Sequence, residues 1–419
     1  MKQTGAERFS IKTLGCKLNQ YESERIASGL SSRGWRRVPF GEEADLVIVH
    51  TCTVTDNSDR KCRNYIRQGA RFSTAGKVVV TGCLGRRDPS GIRAMPEVLG
   101  VIEASGDDLP RRIEESFAGS GAPAENTAAA RVRTRSYIKI QDGCDGQCSY
   151  CIVPSVRGKP SSRPIGEVIE HAKQLISAGV PEIVFTGVTI GKYSDGGRDL
   201  ASLAGEILSL EGNFRLRITS IEPRHVTDDL VSLFGHPKLC DHIHLPLQSG
   251  SDAVLSSMRR PYTRAEYIET ANRFREKLPD MAIGADIIVG YPGETDEDFE
   301  QTLDAVRRAG VTHVHQFSYS PRGGTPSADM KECGPAVVAE RAKRLKSLAA
   351  ERLREYERRF DGKVLMSVVE RGGSDGFSAL SSNYLKAPLG EGAGRRWGEI
   401  VPVRFALTER GTHGEIVTP

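Results

Sequence analysis

The first 112 residues alternate short apolar runs with longer amphipathic segments. The runs at 9–16, 44–52 and 77–83 each predict a buried strand that ends in a cysteine. The segments 21–34 and 56–72 carry apolar residues at helical spacing and predict helices between those strands. Strands that alternate with helices favour a parallel sheet that is covered by helices.

The alternation resumes between residues 131 and 360. Before it, residues 116–130 are mostly small or polar, with glycine and proline, and predict a linker. Helices such as 165–179 and 296–310 separate six apolar runs, which are YIKIQ, EIVFTGV, RLRITSI, DHIHLPL, GADIIVG and HVHQFSYS. Six strand–helix units predict a barrel or partial barrel whose function lies at the carboxyl ends of its strands.

The pattern changes twice more towards the end of the chain. Residues 335–360 form one basic segment that predicts a single long helix. The tail, 361–419, has short apolar runs broken by glycines and predicts a small all-β barrel. The prediction is therefore an α/β chain of three domains: a parallel α/β domain at 1–115, a partial (βα)6 barrel at 131–360 and an all-β barrel at 361–419.

The composition narrows the class of protein. With 419 residues, of which 38% are hydrophobic and 27% charged, the chain is predicted to be globular, with more than one core. We find no signal peptide and no apolar run of about 18 residues, so we predict a cytoplasmic protein without a membrane partner. The net charge of +4 is compatible with a nucleic-acid partner but does not require one.

Nine cysteines in a chain of this kind argue for metal or redox use rather than a disulfide framework. Cys16, Cys52 and Cys83 each end a predicted strand, and parallel pairing would bring them to one sheet edge, where ligands collect. Single cysteines are more often small buried hydrophobes, and we interpret Cys240 and Cys333 in that way.

Three further cysteines, Cys144, Cys148 and Cys151, share one loop at C-x3-C-x2-C spacing. A structural zinc site is the alternative interpretation. Such sites usually fill four positions with protein ligands, whereas only three are local here. Three thiolates on a [4Fe–4S] cluster leave one iron open, and an open iron can bind a substrate or cofactor. The loop therefore favours an open iron–sulfur site over a closed structural one.

This spacing, with the aromatic Tyr150 inside it, resembles the radical S-adenosylmethionine (SAM) superfamily. Over essentially the whole chain, the order of motifs resembles the radical SAM methylthiotransferases. Those enzymes consist of an N-terminal cluster domain, a radical SAM barrel and a C-terminal TRAM domain, the layout predicted above. The motifs are KTLGCKLNQYESE, HTCTVTDNSDRKCR, TGCLGRRDP, DGCDGQCSYCIVPSVRG, TGVTIGKY, SIEP, HLPLQSGSDAVLSSMRRPYT, DIIVGYPGET and FSYSPRGGTP.

The resemblance implies SAM and two [4Fe–4S] clusters as cofactors. Its implied ligands are Cys16, Cys52 and Cys83 for the first cluster and Cys144, Cys148 and Cys151 for the second, which binds SAM at its open iron. Cys62 has no counterpart among the family's ligands and is interpreted as incidental.

The implied reaction uses SAM twice. One SAM would methylate a sulfur carried on the first cluster, and another would be cleaved to a 5′-deoxyadenosyl radical that removes hydrogen from an unactivated C–H bond. A methylthio group then replaces that hydrogen. An electron donor such as flavodoxin or ferredoxin is implied as a partner.

Three branches of the family differ in substrate: an isopentenyl-type adenosine (i6A) in tRNA, a ribosomal-protein aspartate, and N6-threonylcarbamoyladenosine (t6A) in tRNA. The stretches KTLGCKLNQYE, HTCTVTDNSDRKCR, FTGVTIGKY and SIEP resemble the third branch. The other branches usually carry Gln-Asn-Val-Asn or Gln-Asp-Thr where this chain has Gly-Val-Thr-Ile at 187–190. We therefore predict conversion of t6A to 2-methylthio-t6A at position 37, next to the anticodon, with the other two substrates as alternatives.

An alternative from another class is a non-catalytic iron–sulfur RNA-binding protein. Two complete cysteine triads argue against it, because RNA binding alone does not require open irons.

The chain also departs from the family's usual residues in TGCLGRR, at Thr189, where Asn is usual, and at Ser161, where Arg is common.

A SAM site needs backbone groups, hydroxyls and charges at the barrel mouth, where residues after the strands are the candidates. Their alternative role is to cap helices or close turns. The predicted SAM contacts are Tyr150, Thr186, Gly187, Val188, Ser220, Glu222, Gln248 and Ser249.

Contact with RNA needs cations and stacking groups. Arg157 and Arg163, just past the cysteine loop, are predicted to bind the threonylcarbamoyl carboxylate or a phosphate. The tail is balanced in charge, with seven basic and seven acidic residues in 360–419, so its RNA role rests on the TRAM resemblance. Its predicted contacts are Tyr384, Lys386, Arg395 and Arg396.

Overall fold

The structure is a computed structural model that describes residues 7–104, 108–117, 134–371, 376–390, 392–409 and 411–417. Its elements form a five-stranded sheet, two three-stranded sheets that continue one another, and a small closed barrel. The predicted fold class is confirmed. None of the described helices combines the length and the apolar character needed to cross a membrane.

The N-terminal sheet is parallel throughout, in the order β2-β1-β3-β4-β5. Strands β3 and β4 are buried along their whole length, as expected for apolar runs that are covered by helices on both faces. The elements are β1 (Arg8–Thr13), α1 (Lys17–Ser32), β2 (Arg36–Arg37), β3 (Leu46–Thr51), α2 (Asp56–Ala70), β4 (Val78–Gly82), α3 (Cys83–Arg87), α4 (Pro89–Arg93), β5 (Val98–Ile102) and α5 (Asp108–Phe117).

Two parts of this region differ from the predictions. Strand β5 was not predicted, because Leu99 is half-exposed and Gly100 interrupts the apolar run, as suits an edge strand. The predicted linker at 116–130 begins inside α5, and its remaining residues lie outside the described part of the chain.

The central region contains all six predicted strands in a parallel arrangement. Isolated parallel bridges, Leu216 to Leu239 and Ser220 to His244, join the sheet β10-β9-β6 to the sheet β11-β12-β13. The elements are β6 (Arg135–Lys139), β7 (Gln141–Asp142), α6 (Val153–Arg157), β8 (Ser161–Ser162), α7 (Ile165–Ser177), β9 (Glu182–Thr186), α8 (Leu200–Leu208), β10 (Arg215–Ile218), α9 (Asp228–Leu233), β11 (His242–His244), α10 (Asp252–Ser257), α11 (Arg264–Lys277), β12 (Ala282–Val289), α12 (Asp296–Arg308), β13 (His313–Ser318) and α13 (Pro335–Arg358).

Alternate residues of these strands face opposite sides. The outward ones, such as Ile183, Phe185, Leu216 and Ile287, pack against the helices and form the main hydrophobic core. Burying one such side chain stabilises the fold by roughly 1.5–3 kcal/mol. Thr263 begins α11 with a capping box, which satisfies backbone donors at the helix start.

The tail forms a closed barrel in the order β14-β15-β16-β18-β17, which is consistent with a TRAM domain. Tyr356, in the last turn of α13, and Phe360, just after this helix, pack into its core and fix it against the central barrel. The elements are β14 (Val364–Arg371), β15 (Phe377–Ser381), β16 (Lys386–Leu389), β17 (Ile400–Thr408) and β18 (Gly411–Ile416).

Candidate active site

The first cysteine group, called here the edge cysteines, comprises Cys16, Cys52 and Cys83. Each follows the carboxyl end of a strand, and those strands, β1, β3 and β4, are neighbours in one parallel sheet. The fold therefore brings the three positions to one edge. Cys16 is exposed there, whereas Cys52 and Cys83 are buried.

Two glycines leave room for this arrangement. A Cβ on Gly15 would lie 3.2 Å from Cys52 Sγ, and one on Gly82 would lie 2.4 Å from the Thr51 carbonyl oxygen. Both glycines have positive φ, 105° and 93°, which larger residues rarely adopt. Burial raises the pKa of Cys52 and Cys83, so a bound cation is needed to hold these thiols as thiolates. A soft, three-thiol donor set of this kind fits an iron–sulfur cluster.

Cys62 supports the backbone of Cys52, a role that the sequence did not indicate. Its Sγ accepts a hydrogen bond from Cys52 N and donates one to Cys52 O, both at 3.3 Å. The side chain is completely buried, and burial raises its pKa to about 12. Cys62 is therefore a neutral thiol that fixes its neighbour.

The second group, called here the loop cysteines, comprises Cys144, Cys148 and Cys151 between β7 and α6. Gly146 N donates to Cys144 Sγ at 3.2 Å, and a Cβ there would lie 3.1 Å from that sulfur. All three are half-buried. Burial, and then its two cysteine neighbours, raise the pKa of Cys151 to about 12. This group also fits a cluster, whose charge would stabilise the thiolates.

Gln141 anchors the loop and was missed by sequence reasoning. Its Nε2 donates to the carbonyls of Asp142 and Gly143, both at 2.8 Å. Its Oε1 accepts from Val188 N at 3.1 Å and Thr189 N at 2.7 Å. One buried amide thus joins the cysteine loop to the loop after β9. The sequence signal that could have identified Gln141 is its position at the end of a strand, shortly before the first loop cysteine.

Arg260 was also missed, although it lies within the MRRPYT motif. Its Nη1 donates to Cys148 Sγ at 3.2 Å, and its Nη2 pairs with Glu222. The side chain is almost completely buried. Hydrogen bonds to a cluster sulfur are among the factors that set a cluster's reduction potential, so Arg260 is placed to tune this site.

Arg157 clamps the N-terminal domain onto the barrel. It contacts Glu22 and Asp142, each at 3.1 Å, and donates to Asn19 at 2.7 Å. Although burial alone would raise the pKa of Glu22, His50 and Arg157 hold that pKa well below its usual value. The guanidinium that was predicted to meet substrate is occupied inside this clamp, and a substrate contact by Arg157 stays a prediction.

A second clamp also joins the N-terminal domain to the barrel. Arg322, from the loop after β13, contacts Asp56 and Asp59, each at 2.5 Å, and is almost completely buried. At the same interface, Cys83 packs against Ile152, the residue after Cys151. The edge group and the residue that follows the loop group therefore meet at this domain interface.

Comparison with known proteins identifies the family. Residues 138–306 match the Radical SAM superfamily, and residues 8–102 match a family described as Uncharacterized protein family UPF0004. The chain is 35% identical to the threonylcarbamoyladenosine tRNA methylthiotransferase MtaB of Bacillus subtilis, over 94% of this chain and 93% of that protein. The chain belongs to the radical SAM methylthiotransferase family. This membership confirms the predicted alkylthio-transferring enzyme and its cofactors, SAM and iron–sulfur clusters.

Other relatives carry different substrate names. The chain is 36% identical to MtaB of Thermotoga maritima, over 96% of this chain and 95% of that one. It is 34% identical to the tRNA-2-methylthio-N(6)-dimethylallyladenosine synthase of Cereibacter sphaeroides, over 96% and 97%. Such similar identities do not separate the branches of the methylthiotransferase family. Among solved structures, the methyltransferase TsrM of Kitasatospora setae shares the fold, with a TM-score of 0.57, 16% identity and 77% of each chain covered.

Several residues predicted to bind SAM in this methylthiotransferase lie around the loop cysteines. Tyr150 packs against the buried cluster that contains Met258 and Tyr291. A Cβ on Gly187 would lie 2.6 Å from the Gln141 carbonyl oxygen, so only glycine fits there. Thr186 is buried at the end of β9. With Val188 and Glu222, placed by Gln141 and Arg260, these residues surround the loop, and their SAM contacts stay predictions.

The remaining predicted SAM contacts are engaged within the fold. Ser220 forms a β-bridge with β11. Gln248 has a φ of 63°, and both its backbone N–H and its carbonyl form hydrogen bonds with β12. Ser249 is completely buried, and its hydroxyl lies 3.3 Å from that of Thr302. The geometry does not support a contact from the Ser249 side chain to SAM.

The residues predicted to contact RNA are not brought together. Arg163 donates to the Lys139 carbonyl at 3.3 Å, near the barrel. Tyr384 stacks on His242 at a centroid distance of 4.2 Å, inside the interface between the two barrels. Lys386 and Arg395 are exposed, and Arg396 pairs with Glu399 at 2.7 Å.

Cys240 and Cys333 also differ from each other. Cys240 is completely buried, as predicted for a small hydrophobe. Cys333 is only half-buried, and its thiol donates to the Tyr291 carbonyl at 3.4 Å.

Proposed function

We propose that this enzyme is a tRNA methylthiotransferase that converts t6A to 2-methylthio-t6A at position 37, using SAM and two [4Fe–4S] clusters. The observation that carries the proposal is the contact of Cys83, from the edge group, with Ile152, next to the loop group, at an interface that Arg157 and Arg322 hold together. The names of the relatives support a tRNA substrate, because both branches that match modify tRNA. The sequence stretches that resemble the t6A branch support the finer choice.

In this proposal the edge cysteines and the loop cysteines each hold one cluster. The bound clusters and SAM supply electron transfer, the radical and the methylthio group. The chain's own residues position these groups: Gln141 fixes the loop against the strand ends, and Arg260 fixes Cys148 and Glu222. The clamps of Arg157 and Arg322 keep the two sites at one separation, so that a C–H bond held between them faces both.

The proposed partners follow from the same chemistry. We place the reaction in the cytoplasm, with flavodoxin or ferredoxin as the electron donor. Lys386 and Arg395, the exposed cations of the small barrel, are proposed to contact the tRNA backbone, where each cation adds an attraction that salt weakens.

The test uses reconstituted enzyme, a chemical reductant and SAM with two anticodon stem-loop RNAs, one carrying t6A and one carrying i6A. Mass spectrometry of the nucleosides is expected to show a methylthio product from the t6A RNA, with little or none from the other. Product from only the i6A RNA would retain the chemistry and reject the substrate. SAM cleavage without product from either RNA would reject a tRNA substrate of these two kinds.

A further inference from the structure

The inner wall of the central barrel is unusually polar. Residues that alternate with the core positions of β9 to β13 point inward, and many carry charge or imidazole. The inward residues that matter here are Glu182, Arg217, His242, His244, Asp286 and His315. An interior filled only for stability would be lined by branched apolar side chains.

At the end of the lumen next to the small barrel, the polar side chains already have partners. Arg217 contacts Glu182 at 2.8 Å and donates to the carbonyls of Ser381 and Ser382, each at 3.1 Å. Tyr384 closes the same level by stacking on His242. The small barrel therefore seals one end of the lumen.

Beyond this end of the lumen, three side chains on neighbouring strands form a group that is only partly enclosed. His244 Nε2 lies 3.1 Å and His315 Nδ1 3.5 Å from Asp286 Oδ1. Although burial alone would raise the pKa of Asp286, the hydrogen bonds from these histidines hold it below its usual value. His315 is exposed, whereas His244 and Asp286 are half-buried.

A lysine from the other domain enters the same space. Lys17 directly follows Cys16 and is half-buried. Lys17 begins α1, which packs against β6 of the barrel. Its ammonium group lies close enough to side chains on five strands of the barrel to interact with them electrostatically: Arg135, Glu182, Arg217, His242 and Asp286. Within the described part of the chain, it forms no hydrogen bond and no ion pair within 4.0 Å.

We propose that this lumen receives the N6 substituent of the target adenosine, with Lys17 binding its carboxylate and Asp286 accepting from its hydroxyl or ureido N–H. The inference rests on the proposed function and names the pocket that selects the substrate. C6, which carries the substituent, and C2, which reacts, flank the same ring nitrogen. A base held between the two cysteine groups can therefore direct its substituent to a lysine beside Cys16.

The chemistry of the wall also disfavours an apolar substituent. A dimethylallyl group would enclose Lys17 without giving its ammonium group a partner, and it would offer no hydrogen bond to Asp286 or the histidines. Sites built from charged and hydrogen-bonding groups discriminate strongly against ligands that leave those groups unpaired. A threonylcarbamoyl group supplies a carboxylate, a hydroxyl and N–H donors, which match the wall group by group.

The test compares stem-loop RNAs that carry t6A or its methyl ester, which masks the carboxylate. For the wild-type enzyme, kcat/KM for methylthiolation is expected to favour the acid roughly 10- to 100-fold, as a charged hydrogen bond implies. In Lys17→Met that preference should fall to near one, with iron content measured alongside to show that the clusters are still bound. Lys77→Met, at an exposed lysine of the same domain, is the matched control and should keep the preference.

A Lys17→Met enzyme that still prefers the acid as the wild type does would overturn the inference and leave the proposed function intact. A wild-type enzyme inactive on t6A RNA would overturn both. If Lys17→Met loses iron, Asp286→Ala tests the same pocket at a residue that is not adjacent in sequence to a cysteine ligand. It should lose the wild-type preference for t6A over the analogue that lacks the threonine hydroxyl, and retention of that preference would count against the pocket.

Discussion

The two cysteine groups are built in opposite ways. The loop cysteines lie within eight residues, and nearby backbone groups and one amide, Gln141, hold the loop. The edge cysteines come from three separate strands, and only the parallel sheet brings them together. The loop group is therefore a local structure that contacts from other elements stabilise. The edge group depends on the fold of a whole domain and on the clamps that hold this domain against the barrel.

The largest expected effect separates the two groups by function. Cys144→Ala should abolish both SAM cleavage and product, because the loop group binds SAM in our proposal. Cys52→Ala should keep SAM cleavage and lose the methylthio product. Assays of 5′-deoxyadenosine and of modified nucleoside measure the two activities separately. Wild-type product formation by Cys52→Ala would contradict the role given to the edge group.

Removal of the guanidinium at the loop group should have the next largest effect. Arg260→Met deletes the donor to Cys148 and leaves Glu222 without its partner. Outer-shell changes of this kind typically cost roughly 10- to 100-fold in activity. The potential of the cluster should also become more negative, as measured by an EPR-monitored redox titration. An unchanged potential would mean that Arg260 acts only through Glu222.

The edge group should respond to loss of its clamp. Arg157→Ala leaves the buried Glu22 without its cation, which is expected to cost roughly 3–5 kcal/mol. Calorimetry should show a lower unfolding temperature for the N-terminal domain. Arg67→Ala, at an exposed arginine of α2, should change stability by less than about 0.5 kcal/mol. Equal effects of the two variants would rule out the clamp.

The same clamp predicts a dependence on pH. Because the pKa of Glu22 is lowered in the folded state, its contribution is complete above the unfolded-state value of about 4.3 and falls as the pH drops below it. Glu22→Gln should weaken the clamp at neutral pH and flatten this part of the acid response. Calorimetry of both proteins between pH 3 and pH 7 measures the difference, and parallel curves would argue against Glu22 as the titrating group.

The smallest expected effect concerns the cysteine that is not a ligand in our account. Cys62→Ala removes the hydrogen bonds to Cys52 and should cost about 1 kcal/mol of stability. Iron content and product should stay near wild type. Loss of about half the iron would instead make Cys62 a ligand.

The sequence predicted what depends on local spacing and on strand order. The loop cysteines follow from a motif, and the meeting of the edge cysteines follows from alternating strands and helices. The contacts of Arg260 with Cys148 and of Arg322 with Asp59 join residues far apart in the chain, so no local pattern could reveal them. Arg157 and Tyr384 looked available for RNA because their buried partners belong to other domains.

The most direct test of the central claim is mass spectrometry of nucleosides from bulk tRNA of the host, with and without this gene. We predict that deletion removes 2-methylthio-t6A and leaves t6A in place, and that the gene on a plasmid restores the modified nucleoside. Unchanged 2-methylthio-t6A in the deletion strain, with loss of the methylthio derivative of i6A, would contradict the substrate assignment. Unchanged levels of both would contradict a role in either tRNA modification.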